Sequence, residues 1–194
     1  AADGNNTTAT GASAAPFKSI QSAINFATTT SDSVTVAAGT YVENVNFRGR
    51  NIKVVGEDRE TTIIDGDSSG TVVLFSGGED STALLKSFTI QNGSGSGYVN
   101  SSEGGGIFIQ NSSPTLDNLI ISDNVLDAYP SPNGGGIFIE NAEGISLKNS
   151  IIRNNISWNY GGGIFIQSST ADLENVSIIN NQTDNQGGGI YSNG

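Results

Sequence analysis

One pattern recurs four times in the second half of the chain and restricts the fold to a repeat architecture. Each copy reads Leu-x-[Asn/Ser]-x-x-Ile-x-[Asn/Asp]-[Asn/Gly], and the copies begin at Leu85, Leu116, Leu147 and Leu173. A Gly-Gly-Gly-Ile block follows each copy, at 104–107, 134–137, 161–164 and 187–190. Self-similarity at a period of about 20–50 residues indicates a solenoid, a propeller or an array.

The elements within one repeat select the solenoid. Each repeat holds short β-rich runs such as IFIQ (107–110) and LIIS (119–122), separated by Gly, Asn, Ser and Pro. No repeat carries a ten-residue amphipathic helix pattern, and the Trp-Asp signature of common propellers is absent. The pattern predicts an all-β fold, a single-stranded right-handed parallel β-helix of roughly six coils, with strands stacked about 4.8 Å apart.

Stacking the repeats places identical side chains in columns. The leucines that begin the copies form one inward column, and the isoleucines five residues later form another, at Ile90, Ile121, Ile152 and Ile178. A polar column follows at Asn92, Asp123, Asn154 and Asn180, and then Gly93, Asn124, Asn155 and Asn181. Asn and Gly tolerate the left-handed backbone of a sharp bend, and stacked Asn side chains can hydrogen-bond along the axis. We interpret this Asn/Asp ladder as structural; a Ca²⁺ or sugar site is the alternative.

Aromatic residues form a further column, at Phe108, Phe138, Phe165 and Tyr191. They alternate with isoleucines, so one set faces the core and the other faces outward. We expect the isoleucines to face inward and the aromatic residues to form an exposed stripe, which would be a contact surface for assembly. The alternative is that one of the long connections, 92–104 or 124–134, covers the stripe.

The first half of the chain fits the same architecture as a single domain over 1–194. Residues 17–27 have helical spacing of apolar side chains, which predicts a short α-helix that caps the solenoid. Strand-like runs over 33–80 predict the first coils, and 84–194 forms the repeat coils. No cap is predicted at the C-terminal end. That end could continue into more chain or receive another subunit, stacked head to tail.

Composition excludes several classes of function. The formal net charge is −11, which disfavours binding to nucleic acid, and no apolar run is long enough to insert into a membrane. Cys, His and Met are absent, so no thiolate or imidazole metal site is available. The acidic, Ser/Thr/Asn-rich balance suits a secreted or cell-surface protein. Eight Asn-x-Ser/Thr sequons are candidate glycosylation sites: Asn5, Asn6, Asn92, Asn100, Asn111, Asn155, Asn175 and Asn181.

Few residues outside the repeated columns suggest a catalytic, binding or metal site. Arg48, Arg50 and Lys53 flank a predicted strand and could hold an acidic sugar, although a solvated face balancing an acidic protein is the simpler interpretation. Trp158 and Tyr160 share a turn and could stack on a sugar ring or pack against the aromatic column. The Asp65-Gly-Asp67 segment is a weak Ca²⁺ candidate, because two carboxylates supply too few of the ligands that this ion takes. No cofactor is otherwise predicted.

Residues 16–66 resemble the opening of pectin methylesterases and related pectate-lyase-like β-helix proteins. The matching words are ADG, FKSIQSAINFA, VTVAAGTYVENV, NIKVVGE and TTIIDG. The later GGGI and I-x-N-N words are similar to repeats of bacterial and archaeal surface proteins and of chlamydial polymorphic outer-membrane proteins. The resemblance implies the β-helix and its N-terminal cap. It does not extend to the enzyme, because the D-F-I-F-G segment that carries a catalytic Asp in pectin methylesterases has no counterpart here.

These observations predict a non-catalytic, extracellular or cell-surface β-helix protein with a structural, adhesive or self-assembling, fibre-like role. Its partner would be another copy stacked on the open C-terminal coil. The alternative is a carbohydrate-binding protein, or a polysaccharide lyase or esterase relative, that acts on acidic glycans.

Overall fold

The computed structural model describes residues 3–95, 104–126 and 132–194. After helix α1 (Ile20–Phe26), the described chain winds through coils of three or four short strands each. The first three coils hold β1 (Ser33–Val36), β2 (Gly39–Val42), β3 (Val45–Asn46), β4 (Lys53–Gly56), β5 (Thr62–Asp65), β6 (Val73–Phe75), β7 (Leu84–Lys86), β8 (Thr89–Gln91) and β9 (Ile107–Gln110). The next two hold β10 (Thr115–Asp117), β11 (Ile120–Ser122), β12 (Val125–Leu126), β13 (Ile137–Glu140), β14 (Ile145–Lys148), β15 (Ile151–Arg153), β16 (Ile156–Ser157) and β17 (Ile164–Gln167). The last coil holds β18 (Ala171–Glu174), β19 (Ser177–Ile179), β20 (Gln182–Thr183) and β21 (Ile190–Asn193).

Corresponding strands of successive coils pair in parallel, which confirms the predicted parallel β-helix. Sheet 1 is ordered β1-β4-β7-β10-β14-β18, sheet 2 is β2-β5-β8-β11-β15-β19, and sheet 3 is β3-β6-β9-β13-β17-β21. A smaller sheet, β12-β16-β20, lies between sheets 2 and 3 in the later coils. Each of the three main sheets is therefore six strands deep among the described residues, in line with the predicted coil number.

The register confirms the predicted inward columns. Leu85, Leu116 and Leu147 are directly opposite one another in sheet 1, and Leu173 follows in β18. The isoleucine column pairs in the same way through sheet 2. The buried members of both columns belong to one continuous apolar core, and the first three leucines are at most 1% exposed, whereas Leu173 in the last coil is 38% exposed. Burial of each such side chain stabilises the fold by roughly 1.5–3 kcal/mol.

Left-handed residues other than glycine occupy three kinds of bend, mainly in the later coils. Between sheets 1 and 2 they are Ser87, Asn118, Asn149 and Asn175; after sheet 2 they are Asn92, Asp123, Asn154 and Asn180; and between sheets 3 and 1 they are Arg48, Asn111, Asn141 and Ser168. All have φ between 47° and 63°. The sequence identified only the second of these columns as a bend. Asn and Asp accept this backbone more readily than other non-glycine residues, which explains their abundance in the chain.

Helix α1 closes the N-terminal end of the solenoid, as predicted, although it is shorter than the expected 17–27. Ser19 caps the helix by accepting a hydrogen bond from the Ser22 N–H. Glu43 accepts hydrogen bonds from the backbone N–H groups of Ile20 (2.8 Å) and Gln21 (2.9 Å), which fixes the helix to the first coil. Ile20 and Ile24 are buried against the core. The described chain holds no helix with the length and hydrophobicity to span a bilayer.

Candidate functional site

The aromatic column is the most continuous outward feature of sheet 3, but it is not exposed. Phe108, Phe138 and Phe165 stack with ring centroids 5.3 and 5.1 Å apart, and Tyr191 continues the stack at 5.5 Å. They form a second apolar cluster, outside the main core to which the neighbouring isoleucines belong. Because the three Phe side chains are only 1–8% exposed, the prediction of an exposed stripe is wrong for them. Tyr191 alone remains half-buried.

The predicted inward position of the isoleucines is confirmed, so the error concerns only what lies over the aromatic face. Part of the cover is Tyr160, which stacks on Tyr191 at 4.5 Å and on Phe165 at 6.4 Å. The stack therefore contributes to stability rather than to an assembly surface along sheet 3. The two long connections proposed as an alternative cover include residues 96–103 and 127–131, which lie outside the described residues.

Trp158 and Tyr160 take different roles although they share one turn. Tyr160 packs on the aromatic column and pairs through an isolated bridge with Gln186. Trp158 is 49% exposed. Two further apolar side chains, Val125 and Ile156, are directly opposite each other in the small sheet and are 37% and 38% exposed. Of the predicted sugar-contacting pair, Trp158 is exposed, whereas Tyr160 is half-buried against the aromatic column.

The basic residues 48–53 are divided between two surroundings. Arg50 Nη1 donates to the carbonyl O of Ala27, the residue at the C-terminal cap of α1, so this guanidinium fastens the helix to the solenoid. Arg48 occupies a left-handed bend with an exposed side chain, and Lys53 is exposed on the outer face of sheet 1. Arg59, in the next turn, bonds to Glu60 and to the Asn149 carbonyl. Lys53 and Arg48 are therefore the accessible cations of this region.

In the Asp65–Asp67 segment, the Asp65 carboxylate is already occupied by protein donors. Asp65 accepts hydrogen bonds from Gln91 Nε2 (2.8 Å), Asn92 Nδ2 (2.8 Å) and the Asp67 N–H (2.9 Å). Burial acts to raise the pKa of Asp65, but these hydrogen bonds outweigh it and hold the pKa below its usual value. Among the described residues, no group of three or more acidic, His or Cys side chains could hold a metal ion. The segment is thus a stabilised turn in this structure.

The hydrogen-bonded Asn ladder lies one residue beyond the predicted column. Asn124 and Asn155 are fully buried, and Asn124 donates to Asn155 Oδ1 from both its N–H (3.1 Å) and its Nδ2 (2.8 Å). Asn155 repeats both bonds to Asn181 Oδ1, at 3.0 and 2.9 Å. In the predicted column, Asn154 Nδ2 reaches Asp123 only at 3.4 Å, in solvent. The two columns have different roles. Residues of the first column take the left-handed backbone of the bend, and side chains of the second accept hydrogen bonds from backbone N–H groups of the preceding coil.

The ladder bears on the glycosylation candidates. Asn155 could not carry a glycan without breaking the ladder, because its amide is buried and bonded on both sides. The Nδ2 atoms of Asn92, Asn175 and Asn181 also donate within the protein. Asn111 is exposed in a bend, and Asn5 and Asn6 are exposed in the N-terminal segment. Asn100 lies outside the described residues.

Sequence reasoning missed a buried carboxylate, Glu79. Its side chain is only 1% exposed and accepts hydrogen bonds from the Gly49 N–H (2.7 Å), the Gly77 N–H (2.9 Å) and the Ser112 hydroxyl (2.8 Å). These donors belong to bends of three successive coils. Glu79 therefore ties the coils together along one corner of the solenoid. The repeat pattern could not predict this role of Glu79, because no equivalent acidic residue recurs in the other described coils.

An alternating charge column runs along the outer face of sheet 1. Lys86, Asp117, Lys148 and Glu174 are directly opposite one another in successive strands. Lys86 Nζ lies 2.8 Å from Asp117 Oδ2, and Lys148 Nζ lies 3.0 Å from Glu174 Oε2. Burial acts to raise the pKa of Asp117, but hydrogen bonds from Lys86 and Asn149 and the charges of Lys86 and Lys148 outweigh it, so the pKa is lowered. The alternation favours the observed register, because a shift along the strands would separate these opposite charges.

We expect the replacement Asp117→Asn to flatten the acid limb of the stability profile. A carboxyl group with a lowered folded pKa stabilises the fold above its unfolded value of about 3.9 and loses this contribution as pH falls through the folded pKa. The wild type should therefore lose more stability than the variant between about pH 5 and pH 2, and the variant should be less stable at pH 7 by at most about 1 kcal/mol. Urea titrations followed by circular dichroism between pH 2 and pH 7 measure the free energy of unfolding of both proteins. An equal loss of stability in wild type and variant as pH falls would contradict the prediction.

Comparison with known proteins gives a structural similarity at the level of the fold. No protein-family model and no curated protein matches the chain. Among solved structures, it is similar to a pectin methylesterase in complex with hexasaccharide VII, with 14% identity and a TM-score of 0.53 over 85% of this chain and 54% of that one. It is also similar to an aspartate-to-alanine mutant of pectin methylesterase in complex with hexasaccharide IV, with 14% identity and a TM-score of 0.45 over 86% of this chain and 65% of that one. The chain thus spans less than two thirds of the length of either neighbour. It has the right-handed parallel β-helix fold of the first of these pectin methylesterases.

Proposed function

We propose that the protein is a non-catalytic, extracellular or cell-surface β-helix scaffold with a structural, adhesive or self-assembling role. The observation that carries this proposal is how the polar side chains are used. Asn124, Asn155, Glu79 and Asp117 bond to neighbouring coils, and Arg50 bonds to the capping helix. A side chain held in this way contributes to the stability of the solenoid and is withdrawn from substrate.

The size of one surface groove does not by itself favour catalysis. This groove has a volume of about 1190 Å³ and lies between the N-terminal segment, α1 and β1. Its lining is mainly apolar and hydroxyl-bearing, with Phe17, Phe26 and Tyr41 as the aromatic residues and Asp32 and Glu57 as the acids. Asp32 and Glu57 both accept hydrogen bonds from backbone N–H groups. These bonds already use the carboxylates, which argues against a role as a catalytic acid and base pair.

Carbohydrate binding is the second candidate function, and one observation favours it. The Trp158 ring is half exposed, and an indole face can stack on a sugar ring or on another flat apolar surface. The pectin methylesterase with the same fold was solved with a bound hexasaccharide. Acidic oligosaccharides are therefore the first ligands to test, with Lys53 and Arg48 as the accessible cations.

We expect no release of methanol and no formation of unsaturated uronate when the protein is incubated with methylated or demethylated pectin. The expectation follows from the engaged carboxylates and from the missing catalytic words. Both products are measured by standard colorimetric and ultraviolet assays. Turnover that Lys53→Ala abolishes would contradict the proposal; Lys53 is chosen because Arg50→Ala would also loosen the capping helix.

A glycan array distinguishes the two candidate functions. Binding of the wild type to an acidic oligosaccharide that falls at least tenfold in Trp158→Ala, about 1.4 kcal/mol, would favour the carbohydrate-binding function. Tyr160→Phe is the matched control, because it keeps the packing of the ring on Phe165 and Tyr191. We expect no such binding if the protein is a scaffold.

A further inference from the structure

One groove lies beside strand β1, and residues within 10–57 line it. Phe17 and Phe26 form one side of this groove, with ring centroids 5.2 Å apart, and Gly11 of the N-terminal segment lies next to both rings. The Phe26 side chain is 58% exposed although it belongs to the capping helix. The groove therefore presents an accessible aromatic surface.

The side of the groove formed by β1 carries backbone groups without partners. The ladder to β4 begins where the Lys53 N–H donates to the Asp32 carbonyl, so its hydrogen bonds use alternate residues of β1. The backbone N–H and C=O groups of Ser33 and Thr35 therefore face the groove, and no described residue bonds to them. These carbonyls are acceptors that a ligand could use.

The charged side chains that line the groove are acidic. They are Asp32 and Glu57, and no described Lys or Arg lines the groove with them. Hydrogen bonds from the N–H groups of Thr29 and Thr28 and from the Thr29 hydroxyl hold the pKa of Asp32 below its usual value, so this carboxylate is charged at neutral pH. Glu57 accepts the Ala38 N–H through Oε2, and its Oε1 has no hydrogen bond from a described residue. A positively charged ligand therefore matches this groove, and an anionic one would be repelled.

The two carboxylates lie at opposite ends of β1. Asp32 directly precedes the strand, and the Glu57 N–H donates to the carbonyl of Val36, the last residue of the strand. Their backbones are therefore separated by about five strand residues, or about 16 Å at the rise of an extended chain. An elongated ligand could approach both carboxylates at once, whereas a compact one could approach only one of them.

We propose that this groove binds a linear oligoamine, extended along β1 with one terminal ammonium group at Asp32 and the other at Glu57. Its methylene segments would lie against Phe17 and Phe26, and its inner ammonium groups would donate to the unpaired carbonyls of the strand edge. Ammonium groups are also attracted to aromatic faces, and hydrocarbon stems between charges cover apolar surface. This site adds a ligand to the scaffold and does not depend on whether the protein binds sugars.

Spermine is the probe, because its extended length is close to the separation of the two carboxylates. Isothermal titration calorimetry with the intact chain should show saturable 1:1 binding. Putrescine, a diamine too short to approach both ends of β1, should bind at least about tenfold more weakly. A neutral peptide of alternating Thr and Val tests the other occupant of an open strand edge, and tighter binding of this peptide than of spermine would overturn the proposal.

The decisive comparison is between Glu57→Gln and Glu143→Gln. Each removes one negative charge from an exposed side chain, and Glu57→Gln keeps an acceptor oxygen for the Ala38 N–H. Glu57→Gln should bind spermine at least about tenfold more weakly, whereas Glu143→Gln, in a bend of a later coil, should bind it like the wild type. Equal losses in the two variants would indicate attraction to the net charge of the protein alone and would overturn the proposal.

Phe26→Leu tests the aromatic side of the groove. It keeps an apolar side chain at the end of α1 but removes the ring, so the affinity for spermine should fall about two- to fivefold. An unchanged affinity of Phe26→Leu, or the absence of saturable binding to the wild type, would also overturn the proposal. The scaffold function is tested separately, by the turnover and glycan assays.

Discussion

Replacing Glu79 with alanine is expected to lower the free energy of unfolding by about 3–5 kcal/mol. The change removes the acceptor of three donors: the N–H groups of the exposed residues Gly49 and Gly77, and the buried Ser112 hydroxyl. The buried hydroxyl left without this partner costs about 1–3 kcal/mol, each lost backbone hydrogen bond about 0.5–1.5 kcal/mol, and the truncated side chain also leaves a cavity. Because these donors lie in three successive coils, the loss would loosen the stacking itself rather than one bend.

Urea denaturation followed by circular dichroism measures this loss, with Glu143→Ala as the matched control. Glu143 is an exposed acid in a bend at the same corner of the solenoid, and its backbone carbonyl accepts a hydrogen bond from Ser113 Oγ, a bond that truncation of the side chain keeps. Its removal should change stability by less than about 0.5 kcal/mol. Glu79→Gln should fall between the two, since it keeps one acceptor oxygen but turns an amide toward the N–H donors. A Glu79→Ala protein as stable as the control would show that the carboxylate is replaceable by water.

What the sequence could predict follows from how a β-helix is built. A side chain that recurs at each coil contacts its own equivalents, so the repeat alone places it. The Leu and Ile columns needed nothing more, and the structure has them opposite one another. The choice between Asn154 and Asn155 as the bonded ladder was harder. Both recur, and only the bend geometry decides which side chain turns inward: Asn154 takes φ 55°, and Asn155, the next residue, is fully buried.

Contacts that occur once were beyond the reach of the repeat. Glu79 bonds to Gly49 and Ser112, residues 30 and 33 positions away, and no second coil repeats the arrangement. Arg50 reaches the end of α1 across 23 positions. The burial of Phe138 is a similar case, since the alternation gives the face of the sheet but not what lies over it. Residues of a candidate site occur once in the chain, so the repeat does not place them. For this reason the fold was more predictable than the site.

Replacing Asn155 with alanine is expected to have an effect as large as any single change in the ladder. Asn155 Oδ1 accepts two hydrogen bonds from Asn124, and its Nδ2 donates to the Ile121 carbonyl and to Asn181 Oδ1. Truncation would leave the Asn124 N–H and amide without this acceptor in a fully buried position. At about 1–3 kcal/mol for each unsatisfied group, the loss should be at least about 4 kcal/mol, a large part of the 5–15 kcal/mol that stabilises a typical domain.

The position of each Asn along the axis makes this expectation specific. Asn181→Ala removes the same two acceptor bonds, but at the half-buried end coil, where water can replace them, so its loss should be only about 1–2 kcal/mol. Asn154→Gly is the neighbouring control, because Gly keeps the left-handed bend and the only side-chain bond lost is the 3.4 Å contact to Asp123. It should be nearly neutral. If Asn155→Ala fails to fold, the order of Asn181→Ala and Asn154→Gly in urea midpoints still tests the ladder. Equal midpoints for those two would mean that the bend, and not the amide stack, holds successive coils in register.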